Sequence, residues 1–141
     1  LVLSLPALAQ DKPLPKDVQL LIASAEKGDA KAQYTLGDMY WTGLEVPEDY
    51  KEAVKWSRKA AEQGLAKAQS NLGGMYTNGE GVPEDIVTAY AWYTLAATNG
   101  DTDAKKNKSL LGKKMTPDQI AKAEVLAKEM TAKNPKLLNK K

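Results

Sequence analysis

Two groups of side chains in this sequence could, by type and spacing, carry out chemistry. Residues 24–27 read Ser-Ala-Glu-Lys and match the pattern S-x-x-K, in which a lysine assists a serine nucleophile in penicillin-binding enzymes. The acidic pairs Glu48-Asp49 and Glu84-Asp85 could hold a metal ion or act as acid and base. The two other elements of the serine machinery, S-D-N and K-T-G, are absent from the sequence. The meaning of these residues therefore depends on the elements that position them.

The composition narrows the possible chemistry. The 141 residues include no histidine, no cysteine and no phenylalanine. Without histidine or cysteine there is no Ser–His or Cys–His catalytic pair, no zinc finger, no His-ligated metal and no disulfide. Charged residues make up 27% of the chain, as in ordinary globular proteins. We expect no catalytic residue, no metal site and no cofactor.

An internal repeat with a period of 36 residues predicts the architecture. Residues 25–60 align without a gap on residues 61–96, with 19 identities in 36 positions. A repeat of this length normally forms one unit of secondary structure that stacks on its neighbours. We interpret these segments as repeats 1 and 2, and residues 97–131 as a degenerate third repeat with a C-terminal cap helix.

Each unit is predicted to contain two helices. In the first helix, apolar residues recur at i, i+4, i+7 and i+8, which is the stripe of an amphipathic helix. These stripes consist of Ala32, Leu36, Met39 and Tyr40, and of Ala68, Leu72, Met75 and Tyr76. The buried stripes of the second helices are Ala53, Trp56 and Ala60, and Ala89, Trp92 and Ala96.

The segment Val-Pro-Glu-Asp, at 46–49 and 82–85, is predicted to open each second helix. Proline is tolerated in the first turn, and the acidic pair faces the positive end of the helix dipole. Asp49 could also form a capping box with Glu52. Because this role explains the acidic pairs, a metal or acid–base site there is the weaker interpretation.

Caps are predicted at both ends of the repeats, an opening helix at 17–27 and a closing helix that starts at Thr-Pro-Asp-Gln, 116–119. Charge is unevenly divided, with nine basic and 13 acidic groups in residues 1–100 but 11 and five in residues 101–141. These C-terminal lysines could contact nucleic acid or anionic lipid. The basic residues of this region are all lysines, and no aromatic residue lies among them. We therefore favour a solvated cap and a flexible basic tail at 132–141, with no nucleic-acid partner.

The N-terminal residues 1–9 are apolar and uncharged, and they end in Ala-Leu-Ala. This is the pattern of the second half of a secretory signal peptide with its small-residue cleavage site. The stretch is too short to span a bilayer as a helix, so no membrane insertion is expected. We expect an exported protein with an extended lead-in at 10–16; an apolar arm packed on the domain is the alternative.

The repeat motif carries a specific resemblance. The pattern A-x-x-G-x-x-x-A-Q-x-x-L-G-x-x-Y-x-x-G-x-x-V-P-x-D-x-x-x-A-x-x-W-x-x-x-A occurs twice within residues 25–96. It resembles the Sel-one-like repeat (SLR) family, relatives of tetratricopeptide repeats, and the match extends over about 17–131. The resemblance implies an all-α fold, a right-handed α/α superhelix of helix–turn–helix repeats whose concave side binds a protein or peptide. Many bacterial members are exported, which implies a location in the bacterial periplasm.

A candidate binding surface lies opposite the apolar stripe of the first helices, at 100° per residue. Its residues are Lys31, Tyr34, Asp38 and Trp41 in repeat 1, and Lys67, Ser70, Gly74 and Thr77 in repeat 2. These positions differ between the copies, as a surface that reads a partner can, although drift on a neutral surface gives the same pattern. Tyr34 and Trp41 favour binding, because aromatic side chains anchor interfaces. Tyr90, Tyr93 and Leu95 also differ, and we interpret them as extra core.

The expected function is therefore contact rather than catalysis. We expect a non-enzymatic adaptor or scaffold, a monomer or weak oligomer, that binds a protein or peptide partner. Two alternatives stay open. One is an immunity or inhibitor protein that neutralises a periplasmic effector enzyme, as the family resemblance suggests; the other is a β-lactam or cell-wall binding protein with weak hydrolase activity through Ser24.

Overall fold

Seven α-helices follow one another along residues 12–139, the part of the chain that the computed structural model describes. They are α1 (Lys16–Glu26), α2 (Ala30–Thr42), α3 (Tyr50–Glu62), α4 (Ala66–Asn78), α5 (Ile86–Thr98), α6 (Thr102–Gly112) and α7 (Pro117–Lys133), and a short 3-10 helix follows at Pro135–Leu137. No strand occurs within this range. The signal-like segment 1–9 lies outside the described residues.

The helices stack in chain order. Helices α2 and α3 form one α-hairpin and α4 and α5 the next, while α3 packs on α4, and α5 packs on both α6 and α7. This packing of consecutive helices fits a superhelix of helical repeats, so the predicted all-α solenoid is confirmed. The predicted stripes form the core, since Leu36 and Leu72 are fully buried and Trp92 is 3% exposed.

Aspartate side chains cap the N-termini of α2, α3, α5 and α6, with differences from the sequence prediction. The Asp49 carboxylate accepts hydrogen bonds from the backbone N–H groups of residues 51 and 52, and Asp85 accepts one from Thr88. Pro47 lies ahead of the Asp49 cap and not in the first turn, because α3 begins at Tyr50. Glu52 does not complete a capping box; its carboxylate instead accepts the indole N–H of Trp56 at 3.1 Å.

The C-terminal segment corrects the predicted flexible tail at 132–141. Helix α7 continues to Lys133, and the Leu137 side chain is 3% exposed. It packs in a hydrophobic cluster formed mainly by α3, α4 and α5 around Leu72, Trp92 and Leu95, which we call the central cluster. The Asn134 amide donates to the carbonyl of Glu62 at 2.9 Å, which ties the segment to the end of α3. Within the described residues 134–139, the tail is therefore a docked part of the fold. The prediction from sequence was wrong because it was based on the lysines of this segment and did not consider that Leu137 could be buried.

Replacing Leu137 with alanine should loosen this docked segment. We expect Leu137→Ala to lower the free energy of unfolding by about 2 kcal/mol, near the low end for buried leucines because the segment can detach instead of leaving a cavity. Chemical denaturation measures the loss, and hydrogen exchange at the Asn139 amide, which donates to Asn99 at 2.7 Å, should speed up. Leu20→Ala, at a leucine that is 64% exposed, is the control. Equal stability of the two variants would contradict the docking.

Candidate protein-binding surface

A cleft between α2, α4 and α6 brings together four of the eight residues selected from the sequence. Asp38 and Trp41 of α2 lie on one side, and Ser70 and Gly74 of α4 on the other, around a volume of about 300 Å³. The cleft is therefore lined mainly by the first helices of successive repeats, α2, α4 and α6. A side chain of a bound partner would fit this space.

The other four selected residues lie around the cleft or away from it. Lys31 and Lys67 are exposed and do not line it. The Thr77 hydroxyl donates to the carbonyl of Gly73 at 2.7 Å, and this side chain borders a smaller neighbouring cleft of about 140 Å³. Tyr34 is half-buried and packs against the central cluster, so it is less available to a partner than its helix position suggested.

Trp41 is the most prominent aromatic group of the cleft. Its side chain is 41% exposed, and its indole Nε1 donates to Oε2 of Glu80 at 2.6 Å. This bond joins the first helix of repeat 1 to the turn after α4, 39 residues away along the chain. The ring is therefore held by its polar edge while part of its surface stays open to solvent.

Sequence reasoning missed several residues that line the cleft. They are Asn71 and Asn78 of α4, Glu80 in the following turn, and Asp103 and Asn107 of α6. Tyr93 of α5 was interpreted as core from the sequence; it is buried, at 5% exposure, and it also lines the cleft. Asn71 and Asn107 are 36 residues apart and occupy the same repeat position, so extending the repeat comparison into the third unit could have found them. Glu80 and Tyr93 come from other elements, and only the packing of the hairpins brings them to the cleft.

The cleft carries negative charge. Asp38, Glu80 and Asp103 contribute three carboxylates, and no lysine or arginine is among its described lining residues. Burial raises the pKa of the Tyr93 phenol, against a lowering contribution from Thr77, and burial together with the charge of Asp38 raises the pKa of Tyr34. Both hydroxyls therefore stay protonated at neutral pH. The surface can attract cationic groups and exchange hydrogen bonds with a partner.

Three of the residues that could carry out chemistry, Ser24, Asp49 and Asp85, lie at the ends of helices. Ser24 lies in the last turn of α1, where its carbonyl accepts the backbone N–H of Asp29 at 3.2 Å. Asp49 and Asp85, from the two acidic pairs, are helix caps. Across residues 12–139 no group of three or more acidic side chains is arranged to hold a metal ion. None of the helices described in that range is long and apolar enough to cross a membrane.

Stacked α-hairpins with a cleft between their first helices define a helical-repeat protein. The family model of the Sel1 repeat matches residues 30–65 and 66–101, just over half of the chain, and the chain belongs to the Sel1 repeat family. These matched units have the same 36-residue period as the segments 25–60 and 61–96 and begin five residues later, at the start of α2 and α4. Proteins built from this repeat generally mediate protein–protein interactions and are typically non-enzymatic scaffolds.

Solved structures of the same family are similar to this chain. One is a protective antigen present in uropathogenic Escherichia coli strains that displays an SLR fold, with a TM-score of 0.80 and 38% identity over 85% of this chain. Another is a Sel1 repeat protein from Oxalobacter formigenes, with a TM-score of 0.63 and 41% identity over 66% of this chain. The chain spans only 26% and 38% of the lengths of these two proteins. No curated protein matches the sequence.

Proposed function

We propose that this chain is an exported adaptor or scaffold that binds a protein or peptide in the concave groove formed by the first helices of its repeats. The observation that carries the proposal is the cleft between α2, α4 and α6, in which the half-exposed Trp41 is held by Glu80. Aromatic side chains that are oriented before binding lose little conformational entropy in an interface, which is why they serve as anchors. Membership of the Sel1 repeat family supports an interaction role in general.

The chemistry of the cleft suits a polypeptide partner. The side-chain amides of Asn71, Asn78 and Asn107 each offer a donor and an acceptor, which is the hydrogen-bonding pattern of a peptide main chain. The carboxylates Asp38 and Asp103 favour a partner with basic groups at this point, since complementary charge speeds association and disfavours wrong partners.

Export is supported by the sequence of residues 1–9, which lie outside the described part of the chain. The apolar stretch ending in Ala-Leu-Ala has the form of a signal-peptide cleavage region. We place the partner in the bacterial envelope for this reason. A pull-down from an envelope fraction, followed by mass spectrometry, would identify it, and a preparation with no enriched protein would argue against the adaptor role.

Replacing Trp41 with alanine should weaken the partner without unfolding the protein. We expect the affinity for the captured partner to fall about tenfold or more, since a central aromatic anchor typically contributes over 1 kcal/mol. The free energy of unfolding should change by about 1 kcal/mol or less, because the side chain is 41% exposed and its hydrogen bond to Glu80 lies at the surface. Isothermal titration calorimetry and chemical denaturation measure the two quantities.

Leu20→Ala is the matched control for this variant, because Leu20 is an exposed apolar residue of α1 that does not line the cleft. It should bind the partner as the wild type does. If Trp41→Ala bound with unchanged affinity, or lost affinity only in proportion to lost folded protein, the cleft would not be the binding surface.

A further inference from the structure

The docked C-terminal segment shows how a turn between repeats can recognise an extended peptide. We call the turn at Gly64, with the side-chain amides of Gln69 and Asn99, the second ledge. The carbonyl of Leu137 accepts hydrogen bonds from Gln69 Nε2 at 2.9 Å and Asn99 Nδ2 at 2.8 Å. The backbone N–H of Asn139 donates to Asn99 Oδ1 at 2.7 Å. The second ledge thus binds one main-chain carbonyl and the main-chain N–H two residues later.

The same ledge occurs one repeat earlier. The first ledge consists of Gly28, Gln33 and Gln63, each of which lies 36 residues before its counterpart in the second ledge. The residue types are the same except at the third position, where the first ledge has glutamine and the second has asparagine. Gln63 Nε2 donates to the carbonyl of Gly28 at 2.9 Å and to Gln33 Oε1 at 2.8 Å, and Gln33 Nε2 donates to the carbonyl of Ala25 at 3.0 Å. The second ledge contains the equivalent amide-to-amide bond at 2.8 Å and the equivalent bond to the Ala61 carbonyl at 3.1 Å. The polar framework is therefore already assembled.

Hydrogen-bonding capacity remains at the first ledge. Gln33 is only 4% exposed, and its Nε2 carries two hydrogens, yet within residues 12–139 it donates to Ala25 alone. The corresponding nitrogen of the second ledge makes both bonds, to Ala61 and to the tail. A side-chain amide nitrogen with an unused hydrogen can donate it to an acceptor on a bound peptide.

Space is also present at the first ledge. A Cβ atom at Gly28 would have no described atom within 4 Å, whereas one at Gly64 would collide with the carbonyl oxygen of Lys136. The turn at Gly100 is equally open, but Lys105 and Pro135 stand where the second ledge has Gln69 and Asn99. The third turn therefore has free space but lacks the pair of side-chain amides, whereas the first ledge has both.

We propose that the first ledge is a second docking site, separate from the cleft, for an extended peptide of the tail's own type, Asn-Pro-Lys-Leu-Leu-Asn, supplied by another polypeptide. The backbone carbonyl of the first leucine of this peptide accepts a hydrogen bond from Gln33 Nε2. The backbone N–H two residues later, that of the final asparagine, donates to Gln63 Oε1. Asp29 and Lys59 replace Leu65 and Leu95 of the second repeat. The first ledge is therefore less apolar, and the peptide binds there more weakly than the tail binds in its own chain.

Nuclear magnetic resonance on the full 141-residue chain tests the proposal with a capped hexapeptide of the sequence Asn-Pro-Lys-Leu-Leu-Asn. We expect saturable shift changes at the Gly28 backbone amide and at the side-chain amides of Gln33 and Gln63. A scrambled hexapeptide of the same composition should cause none. Changes confined to Gly64 and Asn99, which would report displacement of the tail, or the absence of saturable changes, would overturn the proposal.

Two variants make the test specific. Gln63→Ala removes the acceptor and should weaken the hexapeptide about tenfold, while Gln19→Ala, at an exposed glutamine of α1, should leave its affinity unchanged. Asp29→Leu combined with Lys59→Leu copies the second repeat and should tighten binding about tenfold. Affinity that is insensitive to Gln63→Ala would overturn the proposal. The cleft is tested separately through Trp41, so the two sites stand or fall independently.

Discussion

Replacing Trp92 with alanine is expected to lower the free energy of unfolding by about 3–5 kcal/mol. The side chain is 3% exposed and lies in the central cluster with Leu72, Leu95 and the docked Leu137. Its removal deletes a large apolar group and leaves a cavity whose walls belong to several helices, so the surroundings can collapse only in part. The cluster also connects repeat 2 to the C-terminal helix through Ala127, and we expect the whole stack to lose stability together.

Urea denaturation followed by circular dichroism measures this loss as a lower midpoint with an unchanged slope, which separates a stability change from a loss of cooperativity. Val125→Ala is the control, because Val125 is 53% exposed on α7, and it should change the free energy of unfolding by about 0.5 kcal/mol or less. A loss under about 1 kcal/mol for Trp92→Ala would mean that this tryptophan is not a core residue.

Replacing Gly81 with glutamate, the residue at the equivalent position of repeat 1, is expected to lower the free energy of unfolding by about 2–4 kcal/mol. Gly81 has a φ of +72°, a left-handed conformation that penalises any side chain. A Cβ there would overlap the carbonyl oxygen of Tyr50 and lie 2.9 Å from a methyl group of Val54. Since the turn of repeat 2 rests directly on the start of α3, the two repeats would have to separate to admit the side chain.

The reverse exchange, Glu45→Gly, is the matched control. Glu45 adopts nearly the same conformation, with a φ of +65°, but its side chain is exposed. Relief of backbone strain and the greater freedom of glycine in the unfolded chain oppose each other, so the stability should change by about 1 kcal/mol or less. Thermal and urea denaturation of both variants test the pair. Equal losses would show that contact between repeats does not set the requirement for glycine at Gly81.

Much of the fold could be predicted from local patterns. The 36-residue repeat places Leu36 and Leu72 at equivalent positions, and both are fully buried because the same helix pair is built twice. The start of α7 was also predictable, since Thr116 and Gln119 form a reciprocal capping box within four residues of sequence. Caps and amphipathic stripes depend on neighbours along the chain, and the sequence shows those neighbours directly.

The candidate binding surface was less predictable. Helical geometry alone placed Asp38 and Trp41 on an outward face, and both line the cleft. The same geometry did not show that Tyr34 packs against the central cluster, or that the turn after α4 supplies Glu80 to hold the indole of Trp41. A helical wheel describes one helix at a time, whereas a cleft depends on how hairpins are placed against each other.

The types of residues and their spacing along this chain determine the number of repeats, the helix pairs and the family. They also exclude chemistry that needs histidine or cysteine. The docking of the tail does not, because it depends on bonds such as that between Gln69 and Leu137, 68 residues apart. Such contacts require the stacked repeats, which bring the ends of α3 and α5 together. Periodicity and propensity act over a few turns of helix, so the tail, the cleft and the two ledges were decided by tertiary packing.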